Sequence, residues 1–252
     1  MKNNMSNGHT LLVVWQDTKS RLYYHVGTLS YYNDQYEFAY TNYGTGHRKL
    51  KDALDNGYML HPAFPDANKI YQSKKLFPAF DRRLPSPDRS DFKAIMSDLR
   101  LNENSTKMDF LQQTRGRLAN DTYSFEQPLR RENDGKFYSS FFVHGMRYQN
   151  LPEEWPTWLA VNEQVKLIQE PTNPHDTHAV GIFTQGGKHL GYVPGFYSKA
   201  IFSLLSYNAK PEVRVIYINE KSTPHWWLKL NFECKVPSIQ LSASSEVLSV
   251  MQ

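Results

Sequence analysis

Three groups of residues carry types and spacings that could do chemistry. Gly44-Thr45-Gly46-His47-Arg48-Lys49 could cradle a phosphate between glycine backbone and basic side chains, and a loop tip accounts for the same string equally well. No G-x-x-x-x-G-K-[ST] loop is present, no G-x-G-x-x-G follows a strand pattern, and neither a G-x-S-x-G elbow nor an H-E-x-x-H pair occurs. Cys234 is the only cysteine and sits between Phe232 and Val236 in a strand pattern. The usual role of such a thiol is that of a small buried hydrophobe. One cysteine also excludes an internal disulfide and a four-cysteine zinc site. His175, Asp176 and His178 are metal-ligand types, but no further ligands are marked at matching spacing. The expectation is a non-enzymatic binding protein with no catalytic residue, metal or cofactor.

The most informative segment runs from Leu167 to Phe183, and physically it reads as strand, turn, strand. Asn173-Pro174 starts the turn, and the Asp176 carboxylate can accept backbone N–H groups inside it. Taken alone, that describes a well-made connection. Gly186-Gly187 then marks a second tight turn, because adjacent glycines accept positive φ freely.

Together, these strings resemble the HIRAN domain. Glu170-Pro171, Asn173-Pro174-His175-Asp176, Ala179-Val180 and Gly191-Tyr192-Val193 follow its order, and Phe142-Val143-His144-Gly145-Met146-Arg147-Tyr148 is similar to its opening strand. The resemblance covers roughly residues 137–236. It implies an OB-like β-barrel that holds single-stranded DNA at its 3′ end. By position it implies that Arg147 and Tyr148 contact backbone and base, and that Asn173 and Asp176 bond the terminal nucleotide and its 3′-hydroxyl. His175 stands where the family has tyrosine and Tyr192 where it has histidine, so stacking and phosphate contact there are altered. Trp226 or Trp227 would supply a late aromatic. An Asp makes physical sense at a strand end, since a carboxylate accepts a bond from a free hydroxyl and repels phosphate.

The elements that position these residues can be read from periodicity. Leu11–Trp15, Leu22–Leu29 and Tyr36–Tyr40 read as strands, the last two forming a hairpin across Asn33-Asp34. Residues 44–90 read as irregular with short helices. A helix is expected from Phe92 to about Leu101, with Phe92, Ile95, Met96 and Leu99 on one face, and a second one capped by Thr106 with Met108, Leu111 and Leu118 on one side. The polar run from Gln127 to Lys136 is the expected domain boundary. Beyond it, Phe137–Val143, Val165–Gln169, Ala179–Thr184, Leu190–Val193, Val213–Ile218 and Leu228–Cys234 read as strands and Ser198–Leu205 as a helix. The fold class is therefore α+β and mostly β. Two small β-rich modules, 1–126 and 137–252, are expected to be bridged by helices, the second being the barrel.

Tyr24–Ser30 with Tyr36–Tyr40, and Leu76–Pro85, resemble the HipA-type N-terminal subdomain, which helps form protein contacts. That resemblance implies a protein partner for the first module, and the alternative function is a protein-interaction or toxin–antitoxin component in which this module binds a kinase-like partner. No kinase catalytic loop follows it, so kinase activity is not carried over.

The 252 residues are 40% hydrophobic and 21% charged, enough apolar content for a packed core. Residues 1–136 hold 20 Lys and Arg against 16 Asp and Glu, whereas residues 137–252 hold nine of each. A neutral second half suits a short end-binding pocket better than a long DNA track, whose affinity grows with the phosphates neutralised. Lys74, Lys75, Arg82, Arg83 and Arg89 form the densest basic cluster, read as a solvated face or as a phosphate or partner surface. Aromatic residues reach 14%, and they either fill cores or stack bases. No apolar run is long enough for a membrane span and the N-terminus lacks a signal-peptide centre, so a cytoplasmic setting is expected. DNA repair, phage defence and a toxin–antitoxin locus are settings compatible with these readings.

Overall fold

The computed structural model describes residues 8–41, 48–131, 136–207 and 209–235. The Gly44–His47 part of the phosphate-cradle candidate, residues 132–135 of the boundary run, and Val236 lie outside the described residues. Contacts divide the chain into two units, Met1–Gln127 and Pro128–Gln252.

In the first unit, β1 (His9–Gln16), β2 (Tyr23–Tyr32) and β3 (Gln35–Tyr40) form an antiparallel meander. The β2–β3 turn places Asn33 at φ 49° and Asp34 at φ 57°. This two-residue geometry matches the right-handed twist of its strands, and Asn and Asp tolerate it best after glycine. The irregular stretch holds α1 (Leu50–Asp55), β4 (Tyr71–Ser73) and α2 (Pro78–Asp81), with β4 paired to β3. The helices expected between the modules, α3 (Phe92–Asp98) and α4 (Lys107–Thr114), lie within this unit. No residue of α3 is buried, although its Phe92 ring stacks 5.6 Å from Phe110. α4 starts as expected at Thr106, whose hydroxyl and backbone N–H exchange bonds with Asp109 in a capping box. It stops at Thr114 rather than reaching Leu118, because Arg115 and Gly116 turn to left-handed φ values of 54° and 53°. β5 (Tyr123–Glu126) then completes a sheet in the order β4-β3-β2-β1-β5.

The aromatic surplus of the first half is largely core. Ring centroids run Phe38–Phe64 at 4.4 Å, Phe64–Phe80 at 5.2 Å and Phe80–Phe125 at 5.1 Å, with all four side chains buried. Arg83 leaves the basic cluster read from the sequence. It is buried, pairs with Asp121 and donates to Gly116 O at 2.8 Å. Arg89 pairs with Asp91, while Lys74, Lys75 and Arg82 are exposed.

The second unit begins inside the expected boundary run. Leu129 is buried, and β6 (Arg130–Arg131) pairs with β7 (Lys136–Phe142). There follow β8 (Lys166–Glu170), β9 (Ala179–Phe183), β10 (His189–Tyr192), α5 (Gly195–Ser206), β11 (Glu212–Ile218) and β12 (Leu228–Lys235). They form two antiparallel sheets, β10-β9-β8 and β11-β12-β7-β6. Two isolated pairings join the sheets: His144, just past β7, with Tyr192 of β10, and Gln164, just before β8, with Arg214 of β11. The hydrogen-bonded circuit thus passes from β8 through β9, β10, β7, β12 and β11 back to β8. It has the connectivity of a small barrel with two thin joints.

Alternation decides which side chains enter this core. Leu228, Leu230, Phe232 and Cys234 point inward from β12, and Val180, Ile182 and Leu190 from the three-stranded sheet. α5 covers the interior, with Tyr197 5.7 Å from Phe141 and the Phe202 carbonyl accepting a bond from Gln169 at 2.8 Å. Among the described residues no helix is long and apolar enough to cross a membrane.

Candidate functional site

The turn between β8 and β9 is built by Asn173. Its Oδ1 accepts the backbone N–H groups of His175 at 3.0 Å and Asp176 at 3.3 Å, which fixes the loop. Its Nδ2 donates to Glu170 Oε2 at 3.0 Å and lies 3.4 Å from the Tyr192 hydroxyl. Asp176 continues the pattern: Oδ1 accepts the His178 N–H at 2.9 Å, and Oδ2 accepts the hydroxyl of Ser198, in the first turn of α5, at 2.9 Å. The Asp176 side chain is only 9% exposed. Asn173 therefore braces the loop against β8 and β10, and Asp176 braces it against α5. His175 is exposed at the tip, and its ring is open to solvent.

Tyr192 is the hub. As the last residue of β10 it exchanges both backbone bonds with His144, at 3.0 and 2.8 Å. Its hydroxyl donates to Glu170 Oε2 at 3.1 Å, and burial followed by the Glu170 charge raises its pKa. Two glycines let the chain pass close to it. A Cβ on Gly191, at φ +144°, would lie 2.5 Å from His144 O, and one on Gly145, at φ +73°, would touch the Tyr192 ring at 3.4 Å.

Gly145 turns the chain into a 3-10 turn, Met146–Tyr148. The sequence places Arg147 and Tyr148 in the opening strand, but β7 ends at Phe142 and both lie on this turn. The difference follows from Gly145, whose left-handed backbone breaks the strand. The turn anchors itself with Met146, which is buried, and presents Arg147 and Tyr148 outward. Tyr148 is 62% exposed, and the Arg147 guanidinium lies 4.5 Å from its ring centroid and donates to its hydroxyl.

The two tryptophans separate. Trp226 packs edge-on to Phe142 at 4.9 Å, in the 3-10 turn Pro224–Trp226 that touches the Met146–Tyr148 turn. Trp227 packs on Trp155 at 5.8 Å and donates its indole N–H to Ser222 O at 2.8 Å, a structural placement. The structure thus sets Asn173 against Tyr192 and the turn that carries Arg147 and Tyr148 beside β10, with Asp176 held to α5, His175 at the loop tip and Trp226 behind the 3-10 turn. Reading the sequence missed Glu170 and Ser198, which hold Asn173, Tyr192 and Asp176. Glu170 was visible as the acid before Pro171, but its role depends on a partner 22 residues away. Among the described residues no three His, Cys, Asp or Glu side chains are grouped to hold a metal ion.

No curated protein matches the chain. Solved structures similar to it include the HIRAN domain of human HLTF, 18% identical, covering 46% of this chain and 93% of that one with a TM-score of 0.37. A protein from Lactobacillus plantarum is 21% identical and covers 40% and 100%, with a TM-score of 0.35. The HLTF HIRAN domain in its DNA-bound conformation is 19% identical and covers 44% and 83%, with a TM-score of 0.29. The family model described as HIRAN domain matches residues 136–238 and leaves the HipA-type resemblance of the first unit without support. On that match, the second unit of this chain carries a HIRAN domain.

Proposed function

We propose that the second unit binds single-stranded DNA at its 3′ end and that the protein acts by binding rather than by catalysis. The observation that carries this reading is the exposed Arg147–Tyr148 pair, set beside Tyr192 within a segment that matches the HIRAN domain. An exposed ring stacks a base without regard to sequence, and a guanidinium pairs with the adjoining phosphate. Asp176 and Glu170 put two carboxylates beside the place where the strand would end. Carboxylates repel phosphate, so this corner suits a terminal hydroxyl and not a continuing backbone.

The test is fluorescence anisotropy on the full chain with short single strands that end in 3′-hydroxyl or 3′-phosphate, at fixed salt. The expected result is preference for the hydroxyl. Equal binding of both ends would remove end recognition, and no binding of either would remove the DNA reading.

A further inference from the structure

The three-stranded sheet has one face in the core and one outside it, and the outer face is not an ordinary polar surface. Register puts Lys166 beside Phe183, Ile168 beside Gly181, and Glu170 beside Ala179 across β8 and β9; across β9 and β10 it puts Phe183 beside His189 and Gly181 beside Tyr192. Side chains directly opposite in an antiparallel pair share a face. Lys166, Ile168, Glu170, Phe183, His189 and Tyr192 therefore stand together, opposite the inward Val180, Ile182 and Leu190. Ile168 is 47% exposed, and the three rings are half-buried. The rings form a continuous row. His189 stacks on Phe183 at 4.4 Å and 13°, and meets Tyr192 edge-on at 4.9 Å. Gly181 keeps the row low, since a Cβ there would lie 2.7 Å from both Phe183 and Glu170.

Charge along this face has a direction. Glu170 stands at the Tyr192 end, close to the turn that holds Asp176. Lys166 stands at the Phe183 end, and Lys188 follows in the adjoining hairpin, its ammonium 3.8 Å from the Trp158 ring centroid. A single strand has the same polarity, a hydroxyl at its 3′ terminus and phosphates upstream. Across the bulge in β10, the partners of His189 and Tyr192 are Phe183 and Gly181, two residues apart, about 7 Å at the strand rise and room for about two stacked bases.

We infer that this outer face is a stacking platform for the nucleotides immediately upstream of the 3′ terminus, continuous with the end site through Tyr192. It rests on the reading of the second unit as a single-strand binder and names the path the strand takes out of it. Phe183, His189 and Tyr192 supply ring surface, and Lys166 and Lys188 neutralise the phosphates that pass beyond it.

The experiment compares 3′-hydroxyl strands of two and eight nucleotides on the full chain by anisotropy, for the wild type, His189→Ala, and the double charge reversal Lys166→Glu with Lys188→Glu. The wild type should bind the octamer tighter than the dimer by about tenfold or more, the scale of one or two base-stacking contacts. Both variants should lose most of that gain. The charge reversal uses two exposed lysines and therefore tests the platform without touching the core. Octamer gain retained in both variants, or no gain in the wild type while the dimer binds, overturns the platform and leaves the end site standing. Equal loss for dimer and octamer also overturns it, since the residues would then act through the end site. If the wild type binds no strand, both readings fall.

Discussion

Replacing Asp176 by Asn separates bracing of the loop from recognition of the strand end. The carboxylate accepts the His178 N–H and the Ser198 hydroxyl, each at 2.9 Å, while Ser198 Oγ also lies 2.8 Å from Gly195 O. One hydroxyl proton serves one acceptor at a time. An amide keeps the Oδ1 contact, and its Nδ2 can donate to Ser198 Oγ, which frees the Ser198 proton for Gly195 O. The bonds survive and the charge does not, so the expected stability cost of Asp176→Asn is about 1 kcal/mol or less. Asp176→Ala instead leaves the Ser198 proton to Gly195 O but takes the acceptor from the His178 N–H, at about 1–3 kcal/mol for that stranded group.

If the second unit binds strand ends as proposed, binding should respond to the charge. Two unit charges 4 Å apart interact by about 1 kcal/mol in water and about 4 kcal/mol at an effective dielectric of 20. For a carboxylate that is 9% exposed, an intermediate figure of about 2 kcal/mol of repulsion toward a 3′-phosphate is reasonable, roughly thirtyfold in affinity. A 3′-hydroxyl loses the difference between a charged and a neutral acceptor, about 1 kcal/mol or fivefold. Wild type should therefore prefer the hydroxyl, and Asp176→Asn should bind both ends nearly alike. Anisotropy with two strands that differ only at the terminus reads the preference. Denaturant titration by tryptophan fluorescence reads the fold, since Trp155, Trp158, Trp226 and Trp227 all lie in the second unit. A folded Asn variant with the wild-type preference would refute the role of the carboxylate. A stability loss as large as that of the Ala variant would refute the exchange of bonds.

Four other outcomes follow from the packing. Lys49 is buried, with its Nζ 2.8 Å from His25 Nδ1, and burial lowers its pKa to about 8 while holding that of His25 well below its usual value. Both groups bind fewer protons folded than unfolded, so stability should rise with pH between about 8 and 10.5 for Lys49 and fall with pH below about 6.5 for His25; Lys49→Met should flatten the alkaline rise in urea titrations. Asp121→Ala should destabilise the first unit by about 3 kcal/mol, because it strands the buried Arg83 guanidinium, and a loss below 1 kcal/mol would deny the pair that role. Gly191→Ala, at φ +144° and 2.5 Å from His144 O, should cost about 3 kcal/mol and weaken every strand alike, read by fluorescence and anisotropy together. Cys234, 1% exposed and with burial pushing its thiol up to about 11, should resist maleimide until the protein is denatured, and rapid native labelling would contradict its placement.

What was legible in the sequence follows the range of the interactions involved. β2, β3 and their turn could be read because Asn33-Asp34 is a local signal, and the α4 start because Thr106 and Asp109 are three residues apart. β5 was missed since Tyr123–Glu126 becomes a strand only by pairing with β1, more than a hundred residues earlier. α4 was extended too far because the apolar spacing to Leu118 continues while Gly116 ends the helix. In the second half the alternation gave most strands within a few residues, but the joints at His144–Tyr192 and Gln164–Arg214 leave no pattern at all. The site was legible as a motif and not as a geometry. Asn173 and Asp176 could be named, yet that their polar atoms are already engaged by Glu170, Tyr192 and Ser198 depends on contacts between β8, β10 and α5.

Those engagements divide the site into two parts with different energetics. On the turn side, Asn173, Glu170 and Tyr192 hold one another at 3.0–3.4 Å and Ser198 holds the Asp176 carboxylate at 2.9 Å, so their rotamers are set before any ligand arrives. On the proposed reading, a strand end that meets them pays little ordering cost, and fixed carboxylates select its terminal group. On the other side, Arg147 and Tyr148 are exposed and satisfy each other. A base that stacks on Tyr148 and a phosphate that takes Arg147 must compete with that contact, which lowers the affinity either gains alone. Affinity and end preference should thus be separable by residue: changes at Tyr148 scale all ligands, and changes at Asp176 reorder them. Tyr192 belongs to both parts through its hydroxyl and its neighbour Gly145, so its substitution is the one from which the two effects could not be told apart.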